Sequence, residues 1–132
     1  MNLKKILIVE DSELHQKLYD AILLLYKKRG VILIRAFNGK EALEKLYAHS
    51  DINLIILDIN MPVMSGLEFL QKIKNEQALK LIPVIICSTE GKDEDIMLGL
   101  RMGADAYIKK PFKPEELHRI IEKIMKMFPS LS

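Results

Sequence analysis

Residues 54–66, LIILDINMPVMSG, form an apolar run that ends in a carboxylate, Asp58, and is followed by a proline and a glycine. Ile55, Ile56 and Leu57 belong in a protein core, where an ionised aspartate is costly unless it has a partner. Asp58 therefore either ends a strand and caps the segment that follows, or lies in a site that requires a negative charge.

Short apolar runs alternate with segments of helical spacing along the whole chain. The apolar runs predict strands buried on both faces. They are KILIVE (5–10), VILIRA (31–36), INLIIL (52–57), IPVIICS (82–88) and AYIKK (106–110). Helices are predicted within 11–30, 38–50, 65–75, 93–103 and 113–128. This alternation predicts an α/β fold in which helices cover both faces of a parallel sheet.

The first helical segment contains a row of apolar residues. The row recurs at helical spacing and consists of Leu14, Leu18, Ala21, Ile22 and Leu25. Ser12 is predicted to cap the start of this helix, and Gly30 is predicted to end it.

Composition narrows the class of protein. The 132 residues, 49% of them hydrophobic, predict one domain over 1–132, with 128–132 as a terminus or the start of a truncated linker. The 20 basic and 18 acidic residues nearly balance, so charge gives no argument for direct binding of nucleic acid or membrane. A single cysteine, Cys87, and the lack of an export signal or a long apolar run predict a soluble cytoplasmic protein.

Polar side chains end four of the predicted strands, at the edge where open parallel sheets bind ligands. In chain order they are Glu10 and Asp11, then Asp58, then Ser88 and Thr89, and finally Lys109 and Lys110. Carboxylates, hydroxyls and an ammonium group are therefore expected to converge at this edge.

Electrostatics limits what such a cluster can bind. Two carboxylates ~4 Å apart repel by roughly 4 kcal/mol at an effective dielectric constant near 20. Glu10, Asp11 and Asp58 must therefore take up a proton or bind a cation, and an all-oxygen site suits Mg²⁺, with Mn²⁺ as a substitute. Lys110 offers a positive charge and Ser88 a hydroxyl for a phosphoryl group, which a carboxylate could then attack.

Four segments resemble the motifs of one known family, the CheY-like receiver domains of two-component response regulators. They are ILIVED (6–11), LIILDINMPVMSG (54–66), PVIICST (83–89) and GADAYIKKPF (103–112). Their order and spacing cover essentially the whole chain. The resemblance implies a doubly wound, flavodoxin-like (βα)5 fold with five parallel strands in the order 2-1-3-4-5.

The resemblance also implies roles for individual residues. Asp58 would accept a phosphoryl group from a phosphohistidine, and Lys110 would contact that group. Mg²⁺ would be held by the side chains of Asp11 and Asp58, by the carbonyl of Asn60 and, largely through water, by Glu10. The functional interpretation of Asp58 is therefore preferred to the capping one.

Further residues match positions that switch or tune such domains. Ser88, in place of the commoner threonine, would move towards the phosphoryl group, and Tyr107 would rotate inward. Asn60 and Glu90 occupy the two positions that tune phosphoryl lifetime, and Thr89 stands where a small alanine is usual, which puts the access of the phosphoryl group in question. Pro111 follows Lys110 at a position where the peptide bond is usually cis.

The resemblance implies partners as well. The phosphodonor would be a sensor histidine kinase or a histidine phosphotransfer protein. A downstream protein would bind the surface of the fourth helix, the last strand and the last helix, and phosphorylation could drive homodimerisation through the same surface. We expect a stand-alone receiver, the alternative being a receiver fragment of a transcription factor or hybrid kinase. Enzymatic activity would be limited to self-phosphorylation from small phosphodonors and slow autodephosphorylation.

Other functions were weighed against this one. A phosphatase with an aspartyl nucleophile would need a second aspartate two residues after Asp58, where the chain has Asn60. A flavin mononucleotide carrier would need a glycine- and hydroxyl-rich loop where the chain has EDSELH (10–15), and a degenerate receiver would lack acceptor residues that are present here. The three histidines show no metal-ligand spacing and are interpreted as surface residues; they are His15, His49 and His118.

Overall fold

The computed structural model describes residues 3–59, 64–89 and 93–127, and within them five parallel strands form one sheet. The strands are β1 (Lys5–Val9), β2 (Ile32–Ala36), β3 (Ile52–Asp58), β4 (Val84–Thr89) and β5 (Ala106–Lys110). The helices are α1 (Glu13–Ile22), α2 (Leu24–Lys28), α3 (Gly39–Ala48), α4 (Gly66–Lys74), α5 (Asp93–Arg101) and α6 (Pro114–Met127). The strand order is β2-β1-β3-β4-β5, which confirms the predicted doubly wound α/β fold.

Two apolar cores lie on opposite faces of the sheet. Side chains alternate along each strand, so Leu7 and Val9 face the core beneath α3, α4 and α5, whereas Ile6 and Ile8 face the core beneath α1, α2 and α6. The strands β1, β3 and β4 are buried on both faces, which explains why their sequences are continuous apolar runs. No helix in the described ranges is both long and apolar enough to cross a lipid bilayer.

Helix α1 packs on the sheet through a face that the sequence pattern did not indicate. Of the apolar row that recurs at helical spacing, Leu14 is 66% exposed and Leu18 is 49% exposed on α1, and Leu25 is 45% exposed on α2. The buried residues of α1 and α2 are instead Gln16, Tyr19, Leu23 and Tyr26. The two tyrosines bury large aromatic rings, and the Gln16 amide contacts buried main-chain carbonyls at the sheet edge.

The predicted first helix is divided at Leu23. The main-chain N–H groups of Tyr26 and Lys27 both donate to the Leu23 carbonyl, at 3.0 and 3.1 Å. The Ile22 carbonyl is contacted instead by Nε2 of His118 on α6, at 2.6 Å. The described part of the chain therefore has six helices, where the sequence predicted five.

The strand register aligns the polar strand ends at one edge. Val9 pairs with Leu57, so Glu10 follows β1 next to the point where Asp58 ends β3. Asp58 pairs in turn with Cys87, and Thr89 pairs with Lys110. The parallel sheet therefore brings residues from distant parts of the sequence to one place.

Gly66, the first residue of α4, lies against the end of β3. A Cβ atom at this position would lie 2.4 Å from Cα of Ile59 and 2.5 Å from the carbonyl oxygen of Asp58, both of them backbone atoms. Gly99 also makes a close approach, but its added Cβ would meet Cδ1 of the Ile86 side chain, at 2.2 Å. The glycine at 66 therefore fixes how closely α4 approaches the backbone beside Asp58.

We expect Gly66→Ala to destabilise the fold by about 1–3 kcal/mol, because the neighbouring backbone has to move. Gly99→Ala is the matched control, since the Ile86 side chain can rotate and alanine favours a helix by roughly 1 kcal/mol over glycine. Urea denaturation followed by circular dichroism measures both free energies of unfolding. An equal decrease in the free energy of unfolding in both variants would contradict the prediction that the backbone contact of Gly66 makes alanine more costly there.

Candidate functional site

Three carboxylates form a cluster at the carboxyl edge of the sheet. Glu10 and Asp11 follow β1, Asp58 ends β3, and one oxygen atom from each lies within 4.8 Å of the other two. Glu10 and Asp58 are buried, with exposed fractions of 1% and 7%, whereas Asp11 is exposed. Two of the three negative charges are thus held inside the protein by strands that cannot separate.

Lys110, the last residue of β5, reaches across this edge to the acidic cluster. Its Nζ lies 2.5 Å from Oε1 of Glu10 and 3.9 Å from Oδ2 of Asp58. Burial on its own would lower the pKa of Lys110, but the hydrogen bond to Glu10 and the charge of Asp58 raise it above its usual value. Lys110 is therefore a charged ammonium group at neutral pH, directed at both buried carboxylates.

The two neighbouring acids differ in their protonation behaviour. Burial tends to raise the pKa of Glu10, but the hydrogen bonds from Lys110 and from the Ser12 N–H outweigh it and lower the pKa below its usual value. The pKa of Asp11 is raised, first by burial and then by the adjacent carboxylate of Glu10. Because Lys110 neutralises only one of three carboxylates, this site favours a further cation.

His15, which was interpreted from the sequence only as a surface residue, lies beside the cluster. Its Nδ1 is 3.4 Å from Oε1 of Glu10 and also 3.4 Å from Nζ of Lys110, and the side chain is half-buried. Helix α1 starts at Glu13 directly beyond the acids, so its first turn borders the same edge. The contact could have been predicted from the position of His15 in the first turn of the helix that follows Glu10 and Asp11. The spacing of metal ligands along the sequence could not indicate it.

The other two histidines also have contacts that the sequence did not indicate. His49 is half-buried, and its Nδ1 lies 3.4 Å from Nζ of Lys5. His118 is half-buried on α6 beside Tyr26. Neither belongs to the acidic cluster.

Ser88 and Tyr107 lie on β4 and β5. Ser88 is fully buried, and its Oγ donates to the Thr89 carbonyl at 3.2 Å, while the Thr89 side chain is exposed. Tyr107 is 47% exposed. The Lys110–Pro111 peptide bond is cis.

Lys109 differs in its contacts from the neighbouring Lys110. Its Nζ pairs with Oδ1 of Asp93, at the start of α5, at 2.6 Å.

Three sequence predictions fall outside the described residues: Asn60 as a carbonyl ligand, Glu90 as a tuning residue, and the assignment of 128–132 as a terminus or linker.

A groove opens directly beside Lys110, between α1 and the segment that follows β5. It has a volume of 380 Å³. Its lining is mostly apolar and consists of His15, Leu18, Tyr19, Ile22, Thr89, Lys110, Pro111 and Phe112. The unexpected exposure of Leu18 on α1 provides one wall of this groove.

The donor atoms of the cluster fit a small divalent cation. Carboxylate oxygens are the ligands that Mg²⁺ prefers, and it is commonly bound by one or two carboxylates together with water. Three carboxylates against the single ammonium group of Lys110 leave a local excess of negative charge. Glu10 contacts Lys110 and Ser12, Asp58 lies 3.9 Å from Lys110, and Asp11 is exposed, yet each of the three still brings one oxygen atom to the same cluster.

Comparisons with known proteins identify similar chains. A family model described as the response regulator receiver domain matches residues 6–122. The chemotaxis protein CheY1 of Helicobacter pylori is 35% identical over 121 residues, which are 92% of this chain and 96% of that protein. The Bacillus subtilis alkaline phosphatase synthesis transcriptional regulatory protein PhoP is 32% identical over 123 residues, but these are only 49% of its length.

Solved structures are similar in fold as well. The structure of the Vibrio cholerae chemotaxis protein CheY4 superposes with a TM-score of 0.80 at 31% sequence identity, covering 92% of this chain and 98% of that one. A response regulator receiver domain protein from Clostridium thermocellum gives a TM-score of 0.85 at 25% identity, over 98% of this chain and 100% of that one.

The Glu10–Lys110 ion pair predicts how stability depends on pH in Mg²⁺-free buffer. The pKa of Glu10 is lower in the folded protein than its usual 4.5, so the ion pair stabilises the fold above that pH. This stabilisation is lost as the pH falls through the folded-state pKa. Glu10→Gln has no carboxylate to protonate here, so between about pH 5 and about pH 2 its free energy of unfolding should fall less than that of the wild type.

Urea denaturation at several pH values measures this difference. Asp11, whose pKa shifts in the opposite direction, is present in both proteins, and in the variant its pKa is no longer raised by the Glu10 carboxylate. Asp51→Asn is the matched control, because Asp51 pairs with Lys5 at the protein surface and contributes little. The same pH dependence in the wild type and in Glu10→Gln would contradict the prediction.

Proposed function

The chain belongs to the response regulator receiver domain family, and from this premise we propose that it receives a phosphoryl group on Asp58 and signals through a change at its surface. Membership implies phosphorylation signalling of the two-component type, in which CheY-like receivers interact with kinases and downstream targets. The acceptor residue, the metal dependence and the partner surfaces are our proposals for this chain.

The observation that carries the proposal is the buried carboxylate of Asp58, with the Lys110 ammonium group 3.9 Å away. One carboxylate oxygen of Asp58 attacks the phosphorus atom of a phosphohistidine. As the new P–O bond forms, the P–N bond breaks and the imidazole leaves with the electron pair. The strand β3, buried on both faces, holds the attacking oxygen in a fixed direction.

The acidic cluster suggests the cofactor. Receiver domains generally bind Mg²⁺ at an acidic pocket, and we propose that Asp11 and Asp58 hold it here, with Glu10 bound through water. Asn60, outside the described residues, would add its carbonyl, and Mn²⁺ would be an acceptable substitute. The bound ion supplies positive charge that neutralises the phosphoryl oxygens during transfer.

Lys110 and Ser88 would hold the phosphoryl group after transfer. The Lys110 side chain contacts Glu10 in the free protein and needs only a small rotation to reach an oxygen on phosphorylated Asp58. The Ser88 hydroxyl would turn from the Thr89 carbonyl towards another of these oxygens. Thr89, together with Asn60 and Glu90, would then influence how quickly water removes the group, which is the slow self-dephosphorylation expected of a switch.

The groove beside Lys110 is where we propose that the phosphodonor protein binds. A donor histidine must reach Asp58 from the open edge of the sheet, and the groove borders that edge. Its wall at Leu18, and Leu14 one helical turn away, are apolar surfaces that a helical donor could cover. A sensor histidine kinase or a histidine phosphotransfer protein has the required chemistry.

The surface formed by α5, β5 and α6 is the candidate binding surface for a downstream protein. Met97 and Leu98 on α5, Tyr107 on β5 and Met127 on α6 are large apolar side chains with exposed surface. We propose that a downstream protein binds this α5–β5–α6 surface after phosphorylation, and that a second copy of the phosphorylated chain could bind it too. Direct binding of nucleic acid and insertion into a membrane are not part of the proposal.

The chain's context within the family is also proposed. We propose a stand-alone cytoplasmic receiver spanning 1–132, and its stand-alone character is supported by the match over 96% of CheY1 from Helicobacter pylori. A receiver within a larger regulator is the second candidate, because the match to PhoP covers about half of that protein. An aspartyl phosphatase is less well supported, since residue 60 is an asparagine.

We expect incubation with acetyl phosphate and Mg²⁺ to add the mass of one phosphoryl group to the wild-type chain, because Asp58 is a positioned nucleophile. Intact-mass spectrometry should show no addition to Asp58→Asn and little addition without Mg²⁺. Asp51→Asn, at the other end of β3, is the matched control and should be phosphorylated like the wild type. Phosphorylation of Asp58→Asn to the wild-type extent would reject Asp58 as the acceptor.

Phosphorylation should also turn Tyr107 inward, because movement of Ser88 leaves space on this side of the sheet. In protein labelled with 3-fluorotyrosine, the ¹⁹F resonance of Tyr107, identified with Tyr107→Phe, should shift when beryllofluoride and Mg²⁺ are added. Tyr47, which is 64% exposed and bonded to Glu76, is the internal control and should not shift. An unchanged Tyr107 resonance beside fully bound beryllofluoride would remove Tyr107 from the switch.

A further inference from the structure

Gln16 is a buried amide at the point where the pairing of β1 and β2 ends. It belongs to α1 and is fully buried, and its Nε2 lies 3.1 Å from each of three carbonyl oxygens, those of Ile8, Glu10 and Ala36. The Glu10 N–H also donates to the Ala36 carbonyl, at 2.9 Å. The strand register itself stops at Val9 and Ala36, so the Gln16 side chain continues the pairing for one more residue.

The other end of the same amide is not satisfied. Oε1 of Gln16 is buried, and no donor within the residues that the structure describes reaches it. A flipped amide would direct this oxygen at three carbonyl oxygens, so the orientation is fixed by electrostatics. Because a buried acceptor without a partner is unfavourable, an apolar residue of the same size would suit the core better at that end. The NH₂ group, which donates to main-chain carbonyls, is therefore the part of Gln16 that accounts for a glutamine at this position.

We propose that Gln16 is a positioning residue for the candidate cation site. The Glu10 carbonyl that it holds belongs to the peptide group joining Glu10 to Asp11, so the orientation of that group affects the direction in which the Asp11 side chain leaves the backbone. The Glu10 side chain is fixed separately, by Ser12 and Lys110, whereas the Asp11 carboxylate is exposed. Gln16 thus acts on Asp11 through the backbone.

This inference rests on the function proposed above, because it requires that Glu10 and Asp11 take part in binding Mg²⁺. Mg²⁺ demands a nearly ideal octahedral arrangement of oxygens, so a small rotation of one ligand weakens binding. Loss of a group that orients a metal ligand typically reduces metal affinity about 10- to 100-fold. Gln16 would therefore affect Mg²⁺ affinity more than the rate of phosphorylation once Mg²⁺ is saturating.

The test replaces Gln16 with methionine, which has a similar size but no donor. Isothermal titration calorimetry with Mg²⁺ should give a Kd about tenfold higher for Gln16→Met than for the wild type. Phosphorylation by acetyl phosphate should be slower at low Mg²⁺ and should approach the wild-type rate at saturating Mg²⁺. Tyr26→Phe is the matched control, since it removes the half-buried hydrogen bond to Glu122 on the same side of the sheet and should leave the Mg²⁺ Kd unchanged.

The outcomes separate this inference from the proposed function. A wild-type Mg²⁺ Kd in Gln16→Met, with reduced stability alone, would overturn the inference and leave the proposed function intact. A wild-type chain that neither binds Mg²⁺ nor gains a phosphoryl group would overturn both.

A second measurement does not depend on the variant folding. In ¹H–¹⁵N spectra of the wild type, the side-chain NH₂ protons of Gln16 should exchange slowly with solvent and shift during Mg²⁺ addition with the same midpoint as the Asp11 amide. Rapid exchange, or no shift, would also overturn the inference.

Discussion

Repulsion between carboxylates held on neighbouring strands is the constraint on which the site depends. Glu10 follows β1 and Asp58 ends β3, and both strands are buried on both faces, so the two charges cannot move apart. At ~4 Å such a pair costs roughly 4 kcal/mol at an effective dielectric constant near 20. Lys110 extends from β5, beyond β4 in the sheet, and offsets part of this cost. The remaining negative charge favours a cation at this edge, and the proposed Mg²⁺ site rests on it.

Much of this arrangement could be predicted from the sequence because it follows from strand ends. Buried parallel strands appear as continuous apolar runs, and the residue that ends each run must lie at the ligand-binding edge. Glu10, Asp11, Asp58 and Lys110 are all at such positions. Their convergence needed only the order of the strands, which the resemblance supplied and the fold confirmed.

The orientation of the first helix could not be predicted in the same way. Two rows of residues on this segment have helical spacing, and the leucine-rich row is the more hydrophobic. The row that is buried contains Gln16 and Tyr19, because the sheet edge presents carbonyls that need a donor and a deep space that a tyrosine fills. The hydrophobicity of the sequence indicates neither the need for a hydrogen-bond donor nor the size of the space that a tyrosine fills. The contact of His15 with Glu10 was missed for the same reason, since it depends on how α1 is rotated about its axis.

Helix α5 contacts β4 directly at Gly99. The glycine has no side chain, so the helix backbone there lies against the Ile86 side chain, which belongs to β4 two residues before Ser88. A shift of β4 at this point would therefore press on the backbone of α5 itself, and the exposed residues Met97 and Leu98 of the same helix would be displaced with it.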